Sequence, residues 1–404
     1  MYTTSLAQSQ GRIVEELLSR RVKVLHFITN ACRHPYFSQI ADYAARTRFD
    51  LTVASLAPEG PLQEDLKKRG LRTFALGSTH RSQYPYAIFR LASWLRRERI
   101  DIIQTHLFEA SLVGLSAAQL ARTPLAIFTG HHSHEVPLHR RKLPLWADCL
   151  ASRWLSHNII APSSQMKEIF IRDEGVAGEK IAVVPHGLDF KLWQASPDAR
   201  ERIRTEFGLN GKIVFGAVGR LYWIKDYPSL LKAFAPIAAK NGDAMLLIVG
   251  AGDREPLVKL TRGLAIEDRV VFTGPRSDMA DVLAAIDVFV HSSLAESFGL
   301  VIIEALAAGK PVASTDVGVA RDAIEEGING FLVPAGNTDA LRAALEKMIL
   351  CRERWEEMGR ESHSRACSFT AQKMVTGYEE QYLFWLAKRG KLNGATPAWH
   401  HPEG

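Results

Sequence analysis

The sequence predicts an α/β protein built of two doubly wound, Rossmann-like domains that face each other across a cleft. Length is the first ground: 404 residues exceed what one hydrophobic core usually organises, which favours two domains of roughly 150–200 residues each. Patterning is the second. In both halves short aliphatic and β-branched runs alternate with segments of helical period, as in parallel sheets covered by helices. Composition agrees, since 47% hydrophobic and 23% charged residues describe an ordinary globular chain and exclude a disordered or collagenous one.

In order along the chain, strands are predicted at 22–29, 51–55, 102–105, 125–129, 157–161 and 181–185, with helices at 37–46, 62–69, 87–99, 111–120 and 166–171 between them. A break follows near 186–198, where Gly187, Pro197 and polar residues interrupt the pattern. The second half resumes with strands at 213–218, 245–249, 270–273, 288–292, 311–314 and 331–333, again separated by helices. This gives a first domain at 1–190 and a second at 191–370. A long helix carrying Met374, Val375, Tyr378, Tyr382 and Trp385 is predicted over 370–388, and a frayed tail after Arg389. Sheets of this kind bind ligands outside the carboxyl ends of their strands, so the cleft between the two is the expected site.

The net charge of +6 is uneven. Residues 1–190 hold 24 Lys and Arg against 17 Asp and Glu, a net +7, and the remainder holds 26 against 27, a net −1. A basic first domain suits an anionic partner, whether a phosphate-bearing acceptor, an anionic lipid surface or nucleic acid, although plain solubility accounts for the same excess. The helix predicted at 87–99 is open to two readings as well. Ile88, Leu91, Ala92 and Leu95 share one face, with Trp94, Arg90, Arg96, Arg97 and Arg99 elsewhere, as in a helix lying on an anionic membrane or in a core-facing helix with a basic outer side. Cys32, Cys149, Cys351 and Cys367 lie far apart and form no C-x-x-C pair, which fits a reducing cytosol. No apolar stretch approaches the roughly 18–20 residues that span a bilayer, and the first residues lack an apolar signal core. The expectation is a cytoplasmic protein, free or held peripherally at the inner face of the membrane.

Gly250-Ala251-Gly252 follows a strand, but Glu255 stands where a dinucleotide fingerprint needs its third glycine, so a tight strand-to-helix turn is the better reading. A Walker lysine motif, H-E-x-x-H and G-x-S-x-G are all missing from the sequence. More informative is the segment 295–311, Ala-Glu-Ser-Phe-Gly-Leu-Val-Ile-Ile-Glu-Ala-Leu-Ala-Ala-Gly-Lys-Pro, which follows a strand and starts a helix near Gly299. Helix-start amides beside a glycine suit a diphosphate. Glu296 precedes that helix and Glu304 lies on its second turn among Ile302, Ile303, Ala305 and Leu306, too apolar a setting for an ordinary solvated residue. Carboxylates beside a diphosphate repel it unless aimed at its neutral hydroxyls, so one should hold a sugar and the other a ribose. Arg220 and Lys225 follow the strand at 213–218 and supply the positive counterpart, able to stabilise a departing diphosphate without a metal.

These residues resemble the retaining glycosyltransferases of family 4, which have the two-domain GT-B fold. The match covers nearly the whole second half: the E-x7-E pair Glu296 and Glu304, the G-R-x4-K element with Arg220 and Lys225, and the run Gly-Ile-Asn-Gly-Phe-Leu-Val at 327–333. The first half matches in pieces, at 101–106, 129–131 and 184–189. The resemblance implies that Arg220 and Lys225 bind the diphosphate, Glu304 the ribose and Glu296 the donor sugar. It further implies that the backbone of Phe298, Gly299 and Leu300 lines the phosphates and sugar, that Ser297 belongs to the same nucleotide-sugar site, and that His131 approaches the transferred sugar from the first domain. The helix at 371–390 should cross back to that domain.

Two departures stand out. The loop at 29–34, Thr-Asn-Ala-Cys-Arg-His, replaces a common Gly-Gly turn, so it either offers Asn30 or Arg33 to the phosphate or serves the acceptor; and Asp226 replaces the glycine after the lysine. His131, His132, His134 and His139 could converge on zinc, but neither Asp nor Cys completes a set nearby and the resemblance gives His131 another task, so no metal and no cofactor are expected. The expected partners are a nucleotide-sugar donor and a glycan, lipid-linked or small-molecule acceptor, with peripheral contact at an anionic membrane and without nucleic acid. The rival readings are a GT-B nucleotide-sugar epimerase or hydrolase, and an inactive sugar-nucleotide-binding protein.

Overall fold

The computed structural model describes residues 20–130, 151–191 and 193–391. Seven parallel strands form the first sheet: β1 Val22–Ile28, β2 Phe49–Ser55, β3 Arg72–Ala75, β4 Ile102–His106, β5 Leu125–Thr129, β6 Asn158–Ala161 and β7 Ile181–Val183. Their spatial order is β3-β2-β1-β4-β5-β6-β7. Six more form the second: β8 Ile213–Val218, β9 Ala244–Val249, β10 Val270–Gly274, β11 Val288–His291, β12 Val312–Thr315 and β13 Gly330–Val333, in the order β10-β9-β8-β11-β12-β13. Each sheet therefore reverses its winding once, between β1 and β4 and between β8 and β11. At such a reversal the two flanking helices diverge and leave a crevice at the carboxyl edge.

Helices cover both faces of each sheet, so interior strands are apolar throughout rather than alternating: every residue of β9 and of β4 is buried. β3 escapes the sequence expectation because it is an edge strand with Arg72 exposed and its other residues half-buried, which erases the apolar run. The helix Tyr84–Glu98 starts three residues earlier than periodicity suggests. Pro85 sits in its first turn, where no amide donor is needed. Trp94, placed off the apolar face by the sequence reading, is half-buried with its ring 4.4 Å from that of Phe74.

The chain passes from the first sheet to the second near Leu188 and returns near Thr370. The two crossings run side by side: Leu188 N donates to Phe369 O at 2.8 Å and Ala371 N to Leu188 O at 3.0 Å. Gly187 permits this contact, since a Cβ there would stand 2.5 Å from Thr370 O. The returning helix, Ala371–Leu386, buries Met374, Val375, Tyr378, Tyr382, Trp385 and Leu386 against one face of the first sheet, among Val22, Val24 and Ile127. Two of its polar groups are met there as well: Tyr382 OH donates to Gln104 Oε1, and Glu379 Oε1 accepts Ala45 N at 2.7 Å.

A second set of contacts joins the domains beside the cleft. Ser163 caps the helix Ser164–Arg172, accepting Met166 N at 3.2 Å, and its hydroxyl donates to Ser297 O of the second domain at 2.9 Å. Gln165 Nε2 donates to Asp316 O at 2.9 Å and its oxygen accepts Gly318 N at 2.5 Å. Ser164 N donates to Asp322 Oδ2 at 2.9 Å, and Arg321 bridges Asp316 and Glu168. Among the described residues no helix is long and apolar enough to cross a membrane.

Candidate functional site

The crevice between β8 and β11 holds a cavity of about 420 Å³ lined by Gly219, Arg220, Tyr222 and Lys225 on one side and by Glu296, Ser297, Gly299, Leu300 and Glu304 on the other. Seven of the eight site residues expected from the sequence within the described part of the chain thus converge on one space. The exception is Phe298. Its side chain is buried and turned between the domains, with its ring 5.1 Å from that of His186, and it does not line the cavity. Residues 29–34 do not line it either. His131 and the other clustered histidines, His132, His134 and His139, lie outside the described residues. A larger cavity of about 510 Å³ sits at the far end of the helix Leu300–Ala307, but its walls are mostly alanine and glycine and its pair Glu356 and Arg360 bond each other at 2.7 Å.

The basic side is a loop pinned at several points. Tyr227 OH donates to Gly219 O at 2.8 Å, and Leu221 N to Ala251 O at 2.7 Å. Gly250 and Gly252 permit that approach: a Cβ on Gly250 would lie 2.0 Å from Gly219 O and one on Gly252 2.7 Å from Leu221 Cβ. The two glycines serve backbone packing and not a dinucleotide. Asp226, where a glycine was expected, has φ 47° and ψ 43°, a left-handed conformation that Asp tolerates better than most residues. Its carboxylate accepts Ser229 N at 3.4 Å and starts the helix Tyr227–Lys240.

The acidic side is the turn after β11. Gly299, φ 86°, caps the helix Leu300–Ala307, whose first amides have no intrahelical acceptor and face the cavity with the positive end of the helix dipole. Glu296 Oε1 meets Lys225 Nζ at 2.5 Å, Ser293 Oγ at 2.9 Å and His291 Nε2 at 3.2 Å. Burial pushes this carboxyl up, but the hydrogen bond and charge of His291 and the ammonium of Lys225 outweigh it and hold the group at about 2. Glu304, on the same wall, has no such company among the described residues, and burial raises it to about 7. One carboxylate is firmly ionised and paired; the other is poised near neutrality, short of hydrogen-bond donors that a ligand can supply.

Sequence reasoning did not find His291 or Ser293 as partners of Glu296, nor Ser163, Gln165 and Gly318 as groups bracing the donor-side turn. The signal for the first pair was the polar run His-Ser-Ser ending an apolar strand at a carboxyl edge. Gly318 has φ 60° and a Cβ there would stand 2.3 Å from Phe298 O, so only glycine lets residues 316–318 pack beneath the turn. The matched pieces of the first half have mixed roles. Asp101 lies at the amino edge of β4 and binds Arg20 Nη1 at 2.7 Å and Lys23 N at 2.9 Å, which is structural. His106 and His186 are drawn into the aromatic layer around Tyr36 at the cleft floor, where burial lowers His186 to about 4.

Comparison with known proteins agrees with this geometry. Residues 36–192 match the family model described as Glycosyltransferase Family 4, and residues 199–365 the one described as Glycosyl transferases group 1. A 2-deoxystreptamine glucosyltransferase of Streptomyces kanamyceticus is 30% identical over 63% of this chain and 69% of its own length. An Escherichia coli UDP-Gal:alpha-D-GlcNAc-diphosphoundecaprenol alpha-1,3-galactosyltransferase is 28% identical over 65% of this chain and 70% of its own. Anabaena HepE, crystallised with UDP, superposes with a TM-score of 0.76 at 24% identity, covering 89% of this chain and 99% of that one. Two Rossmann-like sheets, a cationic loop facing paired glutamates and these matches together identify the chain as a glycosyltransferase of the GT-B fold that belongs to glycosyltransferase family 4.

Proposed function

We propose that the protein moves a sugar from a nucleotide-diphosphate donor to an acceptor bound at the first domain, with retention of anomeric configuration and without a metal ion. The observation that carries this reading is the convergence of Arg220 and Lys225 on one side with Glu296, Glu304 and the helix-start amides on the other, in one crevice. In this assignment Arg220 and Lys225 take the diphosphate, Glu304 the ribose hydroxyls and Glu296 the hydroxyls of the donor sugar. The bond from the anomeric carbon to the β-phosphate oxygen breaks, and its electrons pass to that oxygen, where two cations and a helix dipole lower their energy. The acceptor hydroxyl joins the same face of the sugar and loses its proton to the departing phosphate. Catalysis is then mainly positional and electrostatic, with the closed cleft excluding water.

Acceptors of relatives include a lipid-linked sugar and an aminocyclitol, by their names. A lipid-borne acceptor is favoured by the outer face of Tyr84–Glu98, where Tyr86 and Phe89 are 71% and 68% exposed beside Arg90, Arg96 and Arg97. Aromatic and basic groups together suit the surface of an anionic membrane. The test of donor class is thermal denaturation with a panel of nucleotide sugars in EDTA. One of them should raise the midpoint by mass action and keep doing so after chelation. A donor whose binding or transfer needs added magnesium or manganese overturns the metal-free assignment, and donor breakdown at the same rate with and without acceptor favours a hydrolase.

A further inference from the structure

The run His291-Ser292-Ser293, three buried polar residues, starts on the last residue of β11 and leads out of the strand, and each reaches either the Glu296 carboxylate or the backbone of Lys225. His291 is only 3% exposed. Parallel register sets it beside Ser314 of β12, whose Oγ lies 3.4 Å from Nδ1. Its other nitrogen, Nε2, lies 3.2 Å from Glu296 Oε1 and 3.1 Å from Ser293 Oγ. Ser293 donates its hydroxyl hydrogen to the same Glu296 oxygen at 2.9 Å, so towards His291 it can only accept. Nε2 therefore carries a hydrogen and the ring donates towards the carboxylate. Ser292 Oγ donates to Lys225 O at 2.7 Å and steadies the backbone of the lysine. Thr315 Oγ1 donates to Ser293 O at 2.7 Å and steadies the serine.

Three donors thus share one oxygen of Glu296, and among the described residues Oε2 has no comparable partner. A buried histidine usually does no more than satisfy a neighbour in the core. Here the neighbour is a cavity-lining carboxylate, and one of its three donors, Lys225, is also the cation that a diphosphate attracts. An ammonium cannot stay at 2.5 Å from Glu296 and give its full charge to two phosphates. Without other support, a carboxylate losing that partner would turn or take up a proton.

Resting on the donor assignment above, we propose that His291, with Ser293, is a positioning residue that keeps Glu296 ionised and aimed at the donor sugar while Lys225 is drawn to the diphosphate. The handover needs no new contact from the protein: two donors remain on Oε1 after the third has left.

Two near-isosteric substitutions test it. His291→Gln can place an amide N–H where Nε2 stood; His291→Asn can place one only at the Nδ1 position, towards Ser314. Calorimetry with UDP and with GDP measures nucleotide affinity, and release of nucleoside diphosphate from UDP-glucose, UDP-galactose, UDP-N-acetylglucosamine and GDP-mannose, with water as the slow acceptor, measures turnover. Thermal denaturation checks folding. His291→Asn should lower kcat by about thirtyfold while nucleotide affinity stays within about threefold, and His291→Gln should recover most of the loss. Ser293→Ala, a smaller change, should lower kcat by a few-fold at unchanged affinity and serves if His291→Asn does not fold. A purely structural histidine predicts that both variants lose affinity and turnover together or that neither changes, and either result overturns the proposal, as does Asn outperforming Gln. If the wild-type protein itself binds no nucleoside diphosphate, the donor assignment fails first.

Discussion

Acidification from about pH 8 to about pH 6 should weaken nucleoside-diphosphate binding through Glu304, and the size of the effect follows from its surroundings. Burial in the cavity wall raises this carboxyl from 4.5 to about 7. Ribose hydroxyls donate to a carboxylate and favour its charged form, so on the proposed assignment binding lowers the value again and releases a proton. With a free-state value near 7, about nine-tenths of the protein is ready to bind at the upper pH and about one-tenth at the lower, a loss of roughly tenfold in affinity from this group. The nucleotide's own phosphate titrates in the same range. Glu304→Gln separates the two, because it reports the ligand's titration alone. The assay is calorimetry of both proteins in two buffers of different ionisation enthalpy. Identical pH dependence of wild type and Glu304→Gln, with no proton released by either, would refute the reasoning. Stability runs in the opposite direction to binding. The folded-state value lies above the unfolded one, so the contribution is full below about 4.5 and is lost as pH rises through about 7. Without nucleotide near pH 8, Glu304→Gln should therefore be the more stable protein, by at most about 3 kcal/mol.

Glu296→Ala should leave the nucleoside diphosphate bound, with Lys225 released to meet it, while transfer falls by about 10²-fold or more; loss of nucleotide affinity as complete as the loss of transfer would reassign the residue. Gly318→Ala forces a left-handed residue against Phe298 O and should cost about 2 kcal/mol or more, read as a lowered thermal midpoint; an unchanged midpoint contradicts the close packing described. Raising salt should reduce use of an anionic acceptor more than it reduces nucleotide binding, because the basic excess lies on the first domain and is open to screening. Equal sensitivity in titrations of both substrates counts against that role.

The two-sheet architecture was legible because buried parallel strands write themselves as apolar runs, and the site was legible because its charges are misplaced in such surroundings. Glu304 among aliphatic neighbours and Arg220 just past a strand could be read from one dimension. What separates the two glutamates could not. Glu296 is held near 2 by a histidine and a lysine that reach it only once β11 and β12 are in register and the loop after β8 is folded. Phe298 illustrates the opposite limit: the motif gives its position in the chain, but only the contact with His186 decides that its ring turns away from the ligand. Asp226 shows a third case, since a left-handed backbone at a non-glycine position leaves no mark on periodicity.

The return of Ala371–Leu386 to the first sheet also sets the order in which the protein can be made. The apolar wall formed by Val22, Val24, Leu51 and Ile127 waits for side chains encoded some 180 or more positions after its last own strand, Ile181–Val183. During synthesis the second sheet, contiguous in sequence, can close first, while the earlier half remains an open-faced intermediate in need of protection until the ribosome has released Leu386. A frameshift or nonsense change near the end of the gene would consequently strike the beginning of the protein.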